Sequence, residues 1–376
     1  MRFHLIRRTD IKTWQRGLLY LAGTLFSLGI GAVLLIFLGI DPGQYYVDMV
    51  TIGMIGNAYP AKCIEGLLKI FVPLLIVSVA LALSFKMRFW NVGGEGQFLI
   101  GALTAATVAF TCASLPGPIL ILAMCLAAML TSGLIGLLTA WFKVRFNTNE
   151  TLATLMMNYI ALYLVSFFGE TKADWNFFLN PESDRPIFAK FPQNAWMGSI
   201  KIGDLNLMYS AIIAVALAVI IYFYLKKTKQ GFEISVVGDS AATAKYAGMN
   251  VNKIVLRTMF ISAALVGLAG AFTASSSQTI STSITNNAGW TGVIIAWLSK
   301  LSIPGIFIAS VLISILQYGC QVAASNYTGI DSHFADLLQS IILFSILTAD
   351  FIANFNVVRI KETGAEESEK KEEVKK

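Results

Sequence analysis

The chain has 376 residues, of which 56% are hydrophobic and only 13% are charged. Soluble domains carry about 25% charged residues, so this composition excludes a single soluble globular domain and indicates a polytopic membrane protein. The formal net charge is +6. The basic residues lie between apolar runs, which is typical of membrane topology signals and argues against a nucleic-acid-binding surface.

Nine stretches are long and apolar enough to be predicted as membrane spans. They are residues 17–40, 66–85, 97–115, 118–142, 152–169, 207–225, 254–274, 304–324 and 335–356. A tenth stretch, 288–301, is apolar but short, and we predict a short or broken crossing there. The first span is about twice as long as the apolar core of a signal peptide, which predicts a retained helix.

The positions of the basic residues predict which loops are cytoplasmic. Five Lys/Arg residues lie within residues 1–16 and predict a cytoplasmic N-terminal segment. Residues 17–356 then form the transmembrane domain, with an external loop at 170–206 and a cytoplasmic loop at 226–253. Ten crossings return the charged tail, residues 357–376, to the cytoplasm. The predicted fold is therefore an all-α polytopic transmembrane bundle of about ten spans.

Two glycine-rich polar segments interrupt this apolar sequence. NVGGEGQ (Asn91–Gln97) precedes the third span, and TNNAGWTG (Thr285–Gly292) precedes the short stretch 288–301. Each segment opens the second helix of a group of four, and the two groups, spans 2–5 and 7–10, have opposite predicted orientations. Paired glycine-interrupted segments of this kind are typical of inverted-repeat transporters, whose solute path lies at the repeat interface.

Each polar feature also has a simpler interpretation. NVGGEGQ is either part of a pathway or a tight cytoplasmic turn, with Glu95 as a favourable charge at a helix N-terminus. Asn158 either lines the path or makes an interhelical hydrogen bond. The Ser/Thr/Asn-rich run 273–287 would suit a neutral hydroxylated solute, or it is an ordinary external loop.

The cytoplasmic loop contains VGDSAATAKYAGMNV (Val237–Val251), which predicts a short helix. Asp239 or Ser240 would cap this helix, and Gly248 would end it. Such a helix is suited to docking into a cleft of a partner protein, or it is a surface helix without a partner. No Walker A loop, metal-ligand spacing, nucleophile elbow or redox pair occurs, so we expect no enzymatic activity, no metal and no cofactor in this chain.

Four motifs resemble, in order, the membrane permeases of ABC importers in the simple-sugar/branched-chain amino acid superfamily. They are NVGGEGQFLIGA (Asn91–Ala102), NETLATLMMNYIA (Asn149–Ala161), VGDSAATAKYAGMNV and GWTGVIIAWLSKLSIPG (Gly289–Gly305). The first two are similar to the nucleoside-type branch, and the resemblance covers roughly residues 15–355. It implies a bacterial cytoplasmic-membrane importer in which a partner subunit binds the ATP. The implied partners are an ABC ATPase, a second permease that is identical or homologous, and an extracellular solute-binding lipoprotein.

The resemblance also implies roles for individual residues. The family's coupling loop falls on a set that contacts the ATPase: Gly238, Asp239, Ala244, Lys245, Tyr246 and Gly248. Four residues depart from the family pattern: Ser240, Ala241, Thr243 and Lys245. We therefore expect the docking role to hold but the choice of ATPase partner to be unusual for the family. For a neutral nucleoside the candidate pathway residues are Asn91, Glu95, Gln97, Asn158, Asn286 and Asn287, with Trp290 for stacking. The candidate gate glycines are Gly93, Gly94, Gly96, Gly289 and Gly292.

Three alternatives remain open from sequence. The first is a simple-sugar or branched-chain amino acid permease on the same scaffold. The second is an ion-coupled secondary transporter, although few ionisable residues lie inside the spans. The third is a scaffold subunit that shows no dependence on solute.

Overall fold

The computed structural model describes residues 2–7, 13–51, 59–327 and 332–360, and these residues are mostly helical. The helices are α1 (Thr13–Phe37), α2 (Pro42–Val50), α3 (Pro60–Lys86), α4 (Gly94–Thr111), α5 (Gly117–Phe146), α6 (Glu150–Glu170), α7 (Tyr209–Lys227), α8 (Lys229–Asp239), α9 (Ala241–Tyr246), α10 (Val251–Ser277), α11 (Ala288–Leu298), α12 (Ile303–Ser325) and α13 (Ser332–Asn354). The strands are β1 (Arg2–Arg7), β2 (Ser199–Ile202), β3 (Leu205–Met208) and β4 (Phe355–Ile360).

Eight of the helices in the described ranges are long and apolar enough to cross a membrane. They correspond to eight of the nine predicted long spans. The remaining predicted span, 97–115, corresponds to α4, which is 18 residues long and begins with the polar sequence GEGQ. Helix α11 has only 11 residues. At a rise of about 1.5 Å per residue it spans roughly 16 Å, about half the hydrocarbon thickness of a bilayer.

The chain divides into two compact units. The terminal unit contains residues 1–49 and 320–376, and the central unit contains residues 50–319. In the terminal unit α1 packs against α13, and the Tyr20 hydroxyl donates to the Asp350 carboxylate. Strand β1 pairs antiparallel with β4, with Arg2 opposite Ile360 and Arg7 opposite Phe355. The predicted N-terminal segment and the predicted charged tail therefore contribute strands to a two-stranded sheet, and residues 361–376 of the tail lie outside the described residues.

The core of the central unit is formed by α3 and α10, the two most buried of its long helices. Helix α10 packs against α3, α4 and α5, and α11 packs against α3 and α4. Small residues allow these close approaches: a Cβ added at Gly101 of α4 would lie 2.5 Å from the Cα of Gly267 on α10. Lipid tails are as apolar as the helix surfaces, so the hydrophobic effect does not drive helices together in a membrane. Close contacts at glycine provide the van der Waals packing that does.

The predicted external loop, 170–206, carries short β structure. Strands β2 and β3 form a hairpin, and Leu179 bridges Phe188. The Ser275 hydroxyl of α10 donates to the Ala195 carbonyl, and the Thr279 hydroxyl donates to the Ala189 carbonyl. Polar residues of the 273–287 run therefore bind the backbone of this loop. The prediction of an all-α fold is therefore corrected: the fold is predominantly helical and also contains two small two-stranded sheets.

Candidate functional site

The heptapeptide Asn91–Gln97 leads into α4, forms its first turn, and is held by its own side chains. The Asn91 amide nitrogen donates to Gln97 Oε1 at 3.2 Å, and the Gln97 amide nitrogen donates to Asn91 Oδ1 at 3.1 Å. Asn91 Oδ1 also accepts from the Gly93 amide at 3.1 Å. Both side chains are buried. The two amides nominated for solute binding are therefore bonded to each other in this conformation.

Helix α6 binds the backbone of the heptapeptide from one side. The Gly96 amide donates to Asn158 Oδ1 at 2.7 Å, and the Asn158 amide nitrogen donates to the Val92 carbonyl at 2.9 Å. One turn earlier on α6, the Thr154 hydroxyl accepts from the Val92 amide at 3.2 Å. Asn158 thus makes interhelical hydrogen bonds to backbone, which is the simpler of its two interpretations.

Two contacting residues were absent from the sequence candidates. Thr154 lies four residues before Asn158, so the helical repeat was a signal that could have found it. Ser132 of α5 donates to the Gln97 carbonyl at 2.7 Å. Nothing in the sequence near Ser132 distinguishes it from other serines in apolar spans. Together these contacts fix the heptapeptide between α5 and α6.

Glu95 connects the two glycine-rich segments. Its Oε2 accepts from the Gly289 amide at 2.9 Å. The Thr285 side chain and the Trp290 backbone also lie close to this carboxyl group. A Cβ added at Gly289 would collide with the Glu95 amide nitrogen, so the backbones of the two segments touch. The two glycine-rich segments, which hold corresponding positions in the sequence, are therefore in direct contact at the N-termini of α4 and α11.

The other candidate glycines lie around the same contact. A Cβ added at Gly94 would lie 3.6 Å from the Cα of Gly289, and one at Gly292 would lie 2.8 Å from a Val77 methyl group of α3. Gly93 and Gly96 face Thr154 and Asn158 of α6. All five therefore sit where helices meet.

The turn before α11 has an unusual backbone. Asn286 and Asn287 have φ values of 46° and 58°, both in the left-handed region, which asparagine tolerates better than most residues. The Gln317 amide nitrogen of α12 donates to the Asn286 carbonyl at 3.4 Å. Asn287 is exposed and Trp290 is 40% exposed, whereas Asn91, Gln97 and Asn158 are buried. Asn287 and Trp290 are thus the candidates whose side chains reach the surface of the chain.

An aromatic cavity adjoins the heptapeptide and was not predicted. It has a volume of about 220 Å³ and is lined by Phe85, Arg88, Phe89, Trp90 and Trp297. The Trp90 and Trp297 rings stack with centroids 4.9 Å apart. Trp90 directly precedes the heptapeptide, but its partner is 207 residues further along the chain, so no local pattern indicated the pair.

The predicted cytoplasmic helix is present as a pair. Helix α8 ends at Asp239, and the shorter α9 follows it instead of one continuous helix. Ser240 Oγ accepts from the Thr243 amide as the cap of α9, and Gly248 follows the helix with a φ of +75°. Of the two caps proposed, Ser240 is the one used. Tyr246 is 95% exposed, Asp239 and Lys245 are exposed, and Ala244 is buried.

Helix α8 is attached to the core at two points. Its Gly238 packs directly on the Lys86 carbonyl oxygen at the end of α3, leaving no room for a side chain. Glu233 forms an ion pair with Arg257 of α10 at 3.0 Å. Lys86 lies five residues before the heptapeptide, so the α8 contact is close to it along the chain.

The family model described as "Branched-chain amino acid transport system / permease component" matches residues 63–347. The chain belongs to this permease family. The permease is thus an integral membrane component of a transport system, as the motifs had predicted, and the match includes the heptapeptide, α8, α9 and α11.

Among its relatives, the permease is 27% identical to the nucleoside ABC transporter permease protein NupB of Lactococcus lactis, over 95% of this chain and 97% of that protein. It is also 27% identical to the guanosine ABC transporter permease protein NupP of Bacillus subtilis, over 94% and 99% of the two chains. The glucose ABC transporter permease protein TsgB13 of Haloferax volcanii is 27% identical over 89% and 87%.

Proposed function

We propose that this permease is the membrane subunit of an ATP-driven importer of nucleosides. The observation that carries the proposal is its match to a nucleoside and a guanosine permease from end to end. A nucleoside needs hydrogen-bonding partners for its ribose and base edges and a flat surface for its base. Asn287 and Trp290 offer an exposed amide and an exposed indole, three residues apart at the start of α11.

Simple-sugar transport is the second candidate. The glucose permease relative has the same 27% identity, although it aligns over somewhat less of each chain. Competition for uptake distinguishes the two in membrane vesicles that carry the assembled transporter. Unlabelled adenosine or guanosine should reduce uptake of a labelled nucleoside, whereas ribose, glucose and leucine should not. Competition by glucose alone would replace the proposal with the sugar candidate.

The energy for transport would come from a separate ABC ATPase that docks on α9. The exposed Tyr246 and Lys245 offer a contact surface, and Gly238 links α8 to the end of α3. A push on α9 would therefore be transmitted through α8 to the end of α3, five residues before the heptapeptide. ATP would be bound by that partner and not by this chain. Co-purification of an ATPase from gently solubilised membranes tests the partnership, and ionophore-sensitive uptake without an ATPase would instead support a secondary transporter.

We also propose that the chain crosses the membrane about ten times, with both termini in the cytoplasm. In this architecture, spans 2–5 and spans 7–10 are inverted repeats of each other. The packing supports this arrangement. If α3 corresponds to α10, α4 to α11 and α5 to α12, the contact of α4 with α10 has its counterpart in α11 with α3. Between α12 and α3, the Phe71 and Phe307 rings also meet. Both α3 and α10 have 27 residues.

The remaining partners are proposed from the same class of transporter. They are a second permease, identical or homologous, and an extracellular solute-binding lipoprotein, in a bacterial cytoplasmic membrane. Mass spectrometry of the gently solubilised complex would identify each of them.

A further inference from the structure

Helix α11 lacks a cap of its own. Its N-cap residue, Asn287, has a φ of 58° and makes no side-chain capping hydrogen bond. A capping asparagine normally has an extended backbone, which directs its side chain to the amide of the second or third helical residue. The left-handed backbone of Asn287 is incompatible with that geometry. The first amides of α11 therefore need another acceptor.

The first two amides of the helix nevertheless have acceptors. The Ala288 amide donates to the Thr285 carbonyl at 2.9 Å. The Gly289 amide donates to Glu95 Oε2 at 2.9 Å, and the Trp290 backbone lies close to the same carboxyl group. The next amide, that of Thr291, begins the regular pattern by donating to the Asn287 carbonyl. A side chain from α4 thus supplies the acceptor that a local cap would have supplied.

We propose that Glu95 is a positioning residue that caps α11 from another helix and so holds Asn287 and Trp290 at the solute path. The role of Asn287 and Trp290 rests on the proposed function, but the cap does not. Glu95 also lies in the first turn of α4. Its carboxyl group is therefore placed between two helix N-termini, where negative charge is stabilised by both helix dipoles.

Asn158 does the same for α4. Gly93, the N-cap residue of α4, has no side chain, and the Gly96 amide is capped by Asn158 of α6 instead. Helices α4 and α11 are thus each capped by a side chain of a neighbouring helix, with α6 capping α4 and α4 capping α11. Removing the middle member, Glu95, should release α11 while leaving the link between α6 and α4 in place.

Hydrogen–deuterium exchange on the full transporter measures the cap directly. Glu95→Ala should accelerate exchange in peptides covering residues 288–291 by about tenfold, which is the scale expected for loss of a helix cap. Glu95→Gln keeps a carbonyl acceptor and should accelerate exchange less. Thr104→Ala is the matched control, since it removes a threonine hydroxyl from the same helix, where Thr104 contacts Thr131 instead of α11. Its exchange at 288–291 should equal that of the parent.

Uptake kinetics then separate positioning from solute contact. With Glu95→Ala we expect the ratio of the maximal uptake rate to KM to fall about tenfold together with faster exchange at 288–291, because Asn287 and Trp290 are displaced, and Glu95→Gln should restore at least half of that ratio. Unchanged exchange at 288–291 in Glu95→Ala would overturn the proposal. So would a raised KM with normal exchange, because Glu95 would then contact solute.

A second variant covers the case in which Glu95→Ala does not assemble. Gly289→Ala places a methyl group against Glu95 and should also accelerate exchange at the start of α11. If exchange in Gly289→Ala stays at the parent level, the cap is refuted. Because the exchange result needs no solute, a transporter that rejects nucleosides would refute the proposed function and leave the cap standing.

Discussion

The buried pair formed by Asn91 and Gln97 should stabilise the permease as a unit. We expect each single alanine substitution to destabilise the fold and the double substitution to cost much less than the sum. The reason is that either single change leaves the partner's amide buried without a hydrogen bond, a penalty that the double substitution avoids.

The magnitudes follow from the hydrogen bonds. Gln97→Ala removes the two bonds of the pair, of 3.1 and 3.2 Å, and leaves the Asn91 amide nitrogen unpaired. At about 1 kcal/mol per bond and about 1 kcal/mol for the unpaired donor, the expected loss is about 3 kcal/mol. Asn91→Ala removes the same two bonds and the one to the Gly93 amide, and leaves both the Gln97 amide nitrogen and the Gly93 amide unpaired. Its expected loss is about 5 kcal/mol.

The double variant strands only the Gly93 amide, so its expected loss is about 4 kcal/mol. The cycle therefore predicts a coupling energy of about 4 kcal/mol between the two side chains. Denaturant unfolding of the purified permease in detergent gives the four free energies. Uptake by the assembled transporter gives KM for each variant that folds.

One result would refute this reasoning. If the two losses add to within about 0.5 kcal/mol, the side chains are independent of each other. Additive losses together with a raised KM would mean that the amides contact solute, as the sequence alone had suggested.

Three further predictions follow from single contacts. Asn158→Asp keeps the acceptor for the heptapeptide amide but sets a carboxylate against a carbonyl, and we expect lower thermal stability with an unchanged KM. Gly101→Ala forces a methyl group into Gly267 and should lower the unfolding free energy by about 1–3 kcal/mol, whereas Gly29→Ala, with nothing within 4 Å, should not. Tyr246→Ala removes a side chain that is 95% exposed, so unfolding should be unaffected while co-purification of the ATPase falls; retained ATPase with normal uptake would contradict the docking surface.

Much of the helical architecture could be predicted from sequence because span length and apolar composition are local properties. Eight of the predicted spans are long apolar helices in the described part of the chain, and the shortness of α11 was also foreseen. The position at which α13 ends was not foreseen. Its predicted span ran to residue 356, but the helix ends at Asn354 because the following strand pairs with Arg2–Arg7. That pairing joins segments about 350 residues apart, and such a contact leaves no local pattern.

The sequence by itself determined that this protein is a membrane permease with two glycine-rich interruptions, since apolar spans and a specific motif are written in consecutive residues. Only the tertiary structure decided what those interruptions do. Asn91, Gln97 and Asn158 have the same amide chemistry whether they bind solute or one another, and the helices around them determine which partner they meet. Glu95 likewise could have been a surface charge, but the missing local cap on α11 and the absence of a Cβ at Gly289 give its carboxyl group a backbone to hold.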